Sequence, residues 1–570
     1  MWHRELVYTP TANPACQPQD RTFLFIFDPL APNDLLRLNA VIPSDIMCAG
    51  MSWDPQGRLL VVGGNRALPA FLNNAYLIDP ATLAAPRGGG CQLRVYGRGF
   101  MQLPDMLRSR FYPTIIALTK GVIQFNAAST LCSTINAGAH LVLGGPYAAV
   151  PTYAGVDVME VLPYGSLQWA CALAPLFPPS TTQRIDAYDL QVHPNDLSTN
   201  GLNGNLDSYP RAFQLSNGDI LVVHDVDTPD SFQQVANPPQ EAYMIRLNQS
   251  GSYKTEFWRV REDATHLGPN ADRNYGPAVL MHTLQDNDRV LVFGGTPGAA
   301  NPVSTVQEFI PAQAAATGGT TVEGEFKDKA NLLVPRDFTD ALVLPDRQIL
   351  LMGGARQFIP SLIPVADPEL YDPGPSRNSV GSSVLMPAGN IVNDAQGVPI
   401  GPTQRLYHQF SVLLADGSVY VAGGESLPNP VSGFAAGPYS GEIFLPAYMP
   451  QNTGYDMPYI GSVVSAQPMS STSQPQSFTV TVENFSSDSF AISGVVLTRP
   501  GAVTHFFDND QRYIELPIDS QSVDALTATL TVRSLEDNLG PPGWYMLWVI
   551  VTKLGHTQRL PTHAQFVRFY

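Results

Sequence analysis

The sequence predicts an all-β protein, a β-propeller followed by an immunoglobulin-like β-sandwich. Three observations predict it. A short apolar run closed by a small or turn residue recurs six times. After Gly424 the repeat stops, and five alternating strands of a different pattern follow. The 570 residues include 47 Gly and 51 Pro, a composition suited to many strands joined by tight turns.

Taken in order, TFLFIFDP around Phe23 reads as the remnant of a blade. The complete repeats are GRLLVVGGN at Gly57, GVIQFNAAS at Gly121, GDILVVHDV at Gly218, DRVLVFGGT at Asp288, DRQILLMGG at Asp346 and DGSVYVAGG at Asp416. Four of them end in Gly-Gly, at Gly63-Gly64, Gly294-Gly295, Gly353-Gly354 and Gly423-Gly424. Each follows another apolar run and a turn, as in FSVLLADGSVYVAGG, the pattern of a hairpin. Hairpin sheets repeated every ~60–70 residues are the mark of propeller blades. The interval from Gly121 to Gly218 is long enough to hold an insertion. One large sandwich would not explain the Gly-Gly periodicity. A turn-rich stretch over 446–476 leads to SFTVTVENF, AISGVVLTRPG, RYIELPI, LTATLTV and GWYMLWVIVT, which read as a sandwich. Residues 1–455 are therefore expected to form the propeller and 456–570 the sandwich.

Charge excludes one class of function. With 49 acidic and 32 basic residues the net charge is -17, and no basic stripe exists to bind a phosphate backbone. No apolar run approaches the ~18 residues of a membrane span. MWHRELVYTP has no hydrophobic core of a secretory signal, so the expectation is either an intracellular protein or a leader that has been removed or was never included. The five cysteines are Cys16, Cys48, Cys91, Cys132 and Cys171, an odd number that leaves one thiol for another task. Sequons at Asn248 and Asn484 are compatible with secretion but common by chance.

Four segments stand out within this frame: SDIMCAGMSWD with Cys48, SRFYPT with Tyr112, RLYHQF with Tyr407 and His408, and PGAVTHFFDNDQRYIEL with His505. Taken alone, each has a plain structural reading. A cysteine is usually a small buried hydrophobe, a tyrosine a core aromatic, a histidine a hydrogen-bonded one. Together and in this order they resemble the copper-radical oxidases, the family of galactose oxidase and glyoxal oxidase. The resemblance runs from Cys48 to the C-terminal PPGWYMLWVI.

That resemblance implies a kelch-type, seven-bladed propeller whose partner sandwich delivers one ligand to the propeller axis. It implies one copper ion held by Tyr112, Tyr407, His408 and His505, with Cys48 joined to the Tyr112 ring as a thioether. Tyr407 would be the axial ligand and general base, and the Tyr112 radical would abstract the α-hydrogen. The chemistry is consistent. Imidazole and oxygen donors suit Cu(II). Alcohol oxidation moves two electrons, one more than a single copper carries, so a second redox group is needed. With Cys48 so used, four cysteines remain for two disulfides of undetermined pairing. His224 and His563 are left as structural or surface histidines.

Two departures separate the chain from galactose oxidase. The tryptophan that stacks on the linked tyrosine after a Gly-Gly is absent from FNAASTLCS, and Phe111 or Phe358 is the expected shield. The glutamine after another Gly-Gly is absent from TPGAANP. The resemblance therefore leans to the glyoxal-oxidase branch: small aldehydes or primary alcohols oxidised by O2 with release of H2O2, by an extracellular or cell-surface protein expected to be a monomer. The alternative is a non-catalytic kelch propeller acting as a scaffold. A zinc hydrolase is disfavoured because phenolates are rare zinc ligands.

Overall fold

The computed structural model describes residues 2–4, 22–28, 31–42, 46, 48–64, 72–80, 100–106, 109–119, 138–145, 160–169, 171–172, 208–226, 243–247, 255–259, 273, 275–296, 301–311, 324–358, 361–386, 403–424, 441–465, 476–536 and 538–570. Seven antiparallel meander sheets of three or four strands precede the C-terminal sandwich among these residues. Their inner hairpins pair Gly50–Trp53 with Leu59–Val62, Thr114–Ala117 with Ala139–Leu143, and Ser208–Gln214 with Ile220–Val226. Next come Ala278–Thr283 with Asn287–Phe293, Asp340–Val343 with Ile349–Met352, and Gln409–Leu413 with Val419–Gly423. The first sheet joins Trp2–Arg4, Thr22–Asp28 and Ala31–Ile42, so TFLFIFDP lies in a sheet of its own. Among the described residues no helix is long and apolar enough to cross a membrane.

Five of the six repeat segments supply the second strand of a sheet. The segment at Gly121 lies outside the described residues. In its sheet, Thr114–Ala117 pairs instead with Ala139–Leu143, which ends at Gly144-Gly145. Among the described residues a fifth second strand therefore leads into Gly-Gly, a pair that the sequence reading did not count. Second strands such as Ala139–Leu143 and Ile349–Met352 are buried at every residue, as expected of strands covered on both faces.

The Gly-Gly pairs stitch neighbouring sheets together. The second glycine donates its N–H to the arginine that opens the next sheet: Gly64 to the Arg110 carbonyl at 3.0 Å, Gly295 to Arg336 at 2.8 Å and Gly354 to Arg405 at 2.8 Å. A Cβ on Gly294, where φ is +51°, would lie 2.3 Å from the Arg336 carbonyl oxygen. Only glycine fits such a crossing.

The same arginines pin their own sheets. Arg110 donates to the Gly144 carbonyl at 2.8 Å and to Glu160 at 2.8 Å. Arg336 does so to Gly353 at 3.1 Å and Glu369 at 3.2 Å, and Arg405 to Gly423 at 2.6 Å and Glu442 at 3.3 Å. Each arginine is buried and its carboxylate lies on, or at the start of, the third strand, so the pin crosses three strands.

All five sandwich segments are strands. Tyr459–Val464, Ser477–Glu483, Thr527–Arg533 and Ile518–Asp524 form one sheet, with the alternating burial of a sheet that has one wet face. Phe490–Thr498, Tyr513–Leu516, Gly543–Lys553, Arg559–Pro561 and Gln565–Phe569 form the other. Tyr513–Leu516 also pairs in parallel with Ala278–Thr283, Met281 opposite Tyr513, so one nine-stranded sheet runs from propeller into sandwich. A single apolar core follows it, from Met281 and Leu350 to Val480 and Trp548.

Candidate metal centre

Six sheets begin their inner strands with a residue in the left-handed region: Cys48 (φ +68°), Tyr112 (+60°), Tyr209 (+40°), Tyr275 (+56°), Phe338 (+53°) and His408 (+69°). Each such residue costs ~1–2 kcal/mol, so six at equivalent places require support from the surrounding fold. At Tyr112, Phe338 and His408 the Gly-Gly stitch and arginine pin provide it. Gly145, for instance, packs its Cα where a Cβ would meet the Phe111 carbonyl at 2.7 Å.

The sandwich loop 503–512 completes the cluster. Its side chains stand in for strand partners along the inner strands. Ile115 N–H donates to Asn509 at 3.3 Å, Trp53 N–H to Asp510 at 2.5 Å and Ser52 Oγ to Asp510 at 2.9 Å. Gln511 donates to the Ala341 carbonyl at 2.9 Å and accepts from Val343 N–H, while Phe506 N–H donates to the Gln409 carbonyl at 2.9 Å. Four sheets hold the loop, and it carries His505 and Phe506 (φ +49° and +54°) into the ring of side chains.

The predicted site residues meet there. Donor atoms of Cys48, His408 and His505 lie within 4.8 Å of one another, and Cys48 Sγ is 3.3 Å from His505 Nε2. The Tyr407 hydroxyl donates to the Tyr112 hydroxyl at 2.6 Å. The Tyr112 ring meets His505 edge-on at 4.8 Å, and the His408 and His505 rings are 4.4 Å apart. Tyr112 N–H also donates to the Cys48 carbonyl at 3.0 Å, tying the two residues through the backbone. Phe111 stacks on Tyr112 at 4.0 Å, whereas Phe358 packs on Phe338 instead. His563 is exposed, and the His224 side chain lies outside the described residues.

Burial sets the charge state. It pushes the Tyr112 phenol well above its ordinary value, and the nearby Cys48 and Tyr407 add to this. Tyr407 is pushed up likewise, by burial and then by Tyr275 and Cys48. Burial, with His408 and Arg211, holds His505 well below the ordinary histidine value. Without a cation, burial thus favours the protonated Tyr112 and Tyr407 phenols and the unprotonated His505 imidazole. Two imidazoles and two phenols with no carboxylate among them form a donor set that fits Cu(II) better than a hard or purely tetrahedral ion.

Sequence reasoning missed Tyr209, Tyr275, Phe338 and Phe506. Tyr275 faces Tyr407 edge-on at 5.8 Å and Phe338 at 4.9 Å, and Phe338 lies 5.3 Å from Tyr407. A signal was available: arginine two residues before an aromatic recurs at Arg110/Tyr112, Arg273/Tyr275, Arg336/Phe338 and Arg405/Tyr407. One departure from galactose oxidase also needs correction. The Gly-Gly after Tyr112 is Gly144-Gly145, and it is followed in sequence by Pro146-Tyr147, both outside the described residues, not by FNAAST. No tryptophan stands there, but an aromatic does.

The chain is similar to known proteins in sequence and in fold. The galactose oxidase-like early set domain matches residues 459–569. A galactose oxidase of Gibberella zeae is 26% identical over 303 residues, covering 53% of this chain and 39% of the relative. A WSC domain-containing protein of Arthroderma benhamiae is 25% identical over 401 residues, 63% of this chain and 39% of the relative. The chain thus spans about two fifths of the length of the curated relatives it matches. A fungal alcohol oxidase of the AA5 family, solved in complex with copper, superposes with a TM-score of 0.61 at 19% identity. That likeness covers 96% of this chain and 90% of the other and establishes the propeller-plus-sandwich fold. The chain is thus similar to galactose oxidase in its C-terminal domain and in part of its sequence, and to a copper alcohol oxidase in its fold. Its cysteine, two tyrosines and two histidines cluster where the inner strands of the sheets begin.

Proposed function

We propose that this chain is a copper-radical oxidase that converts small primary alcohols to aldehydes, or hydrated aldehydes to acids, with reduction of O2 to H2O2. The ligands are Tyr112, Tyr407, His408 and His505, and Cys48 bonds through sulfur to the Tyr112 ring. The observation that carries this reading is the 2.6 Å contact between the Tyr407 and Tyr112 hydroxyls beside the Cys48–His408–His505 group. Copper, when bound, would supply a one-electron acceptor and a site for the substrate oxygen.

The chain's own residues divide the rest of the work. Tyr407, relieved of its proton by a bound cation, takes the substrate hydroxyl proton. The oxidised Tyr112 ring takes the α-hydrogen as a proton and one electron. Two electrons and two protons leave R-CH2OH, and O2 takes both pairs. Phe111 stacked on Tyr112 and the buried Tyr209 on its other side keep water from the ring.

Substrate choice follows from what lines the cluster. Among the described residues Phe111, Phe338, Phe506 and Tyr275 offer apolar rings, and the Arg211 guanidinium is engaged over Phe507 at 4.4 Å. A sugar requires partners for several hydroxyls, and a site without them loses discrimination steeply. Small aldehydes or primary alcohols fit better than galactose. The pathway ends in peroxide, which suits an extracellular or cell-surface setting. A peroxide-coupled assay on copper-loaded protein, comparing methylglyoxal, glycolaldehyde, benzyl alcohol and galactose, tests the assignment. Galactose giving the highest kcat/KM would overturn the substrate reading, and no turnover of any of them would overturn the oxidase reading.

A further inference from the structure

Tyr209 lies at the head of the fourth sheet, buried, with its N–H donating to the Tyr112 carbonyl at 2.6 Å. Its ring stacks on Tyr112, 4.6 Å between centroids and 28° between planes. Its hydroxyl lies 3.0 Å from His505 Nδ1, 3.1 Å from Thr504 Oγ1 and 3.4 Å from the Ala49 carbonyl. Thr504 Oγ1 approaches the same Nδ1 at 2.8 Å.

Donor and acceptor counting limits what this arrangement can do. With the phenol proton donated to the Ala49 carbonyl, which can only accept, the Tyr209 oxygen is left as an acceptor. The proton it accepts is then the one on His505 Nδ1. A neutral imidazole with its proton on Nδ1 carries its lone pair on Nε2, the nitrogen that faces Cys48 Sγ at 3.3 Å. We infer that Tyr209 is a positioning residue that holds His505 in the Nδ1–H tautomer, so that Nε2 presents its lone pair to the cluster, while its ring braces Tyr112. One side chain thus orders a histidine from the sandwich and a tyrosine from the third sheet. This rests on the copper-centre reading proposed above.

The test uses the full chain, labelled with ¹⁵N-histidine and metal-free, with the His505 signal assigned from a His505→Gln variant. Long-range ¹⁵N–¹H spectra report which ring nitrogen carries the proton. Wild type is expected to show Nδ1–H, and Tyr209→Phe, which keeps the ring, to lose that preference. Thr504→Val leaves Tyr209 on Nδ1 and is expected to keep it. Cu(II) affinity, measured by chelator competition, is expected to weaken about tenfold in Tyr209→Phe, as for other residues that orient metal-bound histidines. Nε2–H in wild type overturns the inference. So does loss of the preference in Thr504→Val, or a Tyr209→Phe variant with unchanged tautomer and affinity within twofold. Wild type that shows the tautomer and its loss in Tyr209→Phe, yet binds no copper, would remove the copper reading and leave the positioning of His505 intact.

Discussion

The Tyr407 hydroxyl donates a 2.6 Å hydrogen bond to the Tyr112 hydroxyl, across 295 residues of chain and from two different sheets. Both phenols are protonated because burial disfavours their anions. A divalent cation is the one partner that would make both anions favourable at once. The pair is therefore poised for metal, and the effects expected of it can be measured.

Copper affinity is expected to rise with pH. Binding must displace a proton from a buried phenol whose value lies well above the ordinary one, while His505 is already unprotonated at neutral pH. Proton and metal compete, so Kd falls as pH increases, about tenfold per unit for each proton displaced. Chelator competition between pH 6 and 8 checks this; a Kd independent of pH would mean that no phenol ionises on binding.

His505→Ala should weaken copper binding at least tenfold while leaving the fold in place. Deleting the sandwich would not test this, because the nine-stranded sheet and the shared core join the two parts. Removing residues after 455 would expose Met281, Leu350 and their neighbours. Equal affinity in His505→Ala would show that the sandwich supplies no ligand.

The arginine pins are expected to matter to stability out of proportion to their number. Glu369→Gln leaves the Arg336 guanidinium buried and without its carboxylate. Breaking a buried pair in this way costs ~3–5 kcal/mol. A denaturant midpoint that shifts by less than the equivalent of about 1 kcal/mol would contradict the role assigned to the pin.

Much of this fold is legible in the sequence because its signals are local. Alternation marks Ser477–Glu483 and Thr527–Arg533, and a turn plus Gly-Gly marks Ile349–Met352 and Val419–Gly423. The third sheet was less legible for a physical reason. AHLVLGG is no more apolar than GVIQFNAAS, and the pairing of Ala139–Leu143 with Thr114–Ala117 is visible only in the structure. Tyr209 was invisible for another. A lone tyrosine shows no role until His505, 296 residues away, lies 3.0 Å from its hydroxyl. The Glu partners of Arg110, Arg336 and Arg405 lie 33 to 50 residues downstream and carry no motif of their own.

The most direct measurement is peptide mapping with intact mass after copper is supplied in air, on wild type and on Cys48→Ser. The Cys48 thiol and Tyr112 share one buried cluster and a backbone hydrogen bond, the closeness that the proposed sulfur-to-ring bond requires. Oxidation by copper and O2 would remove the thiol hydrogen and one ring hydrogen. A loss of about 2 Da is expected in wild type, with a linked peptide carrying Cys48 and Tyr112 and no such change in Cys48→Ser. Two separate, unmodified peptides from copper-loaded wild type would contradict the account.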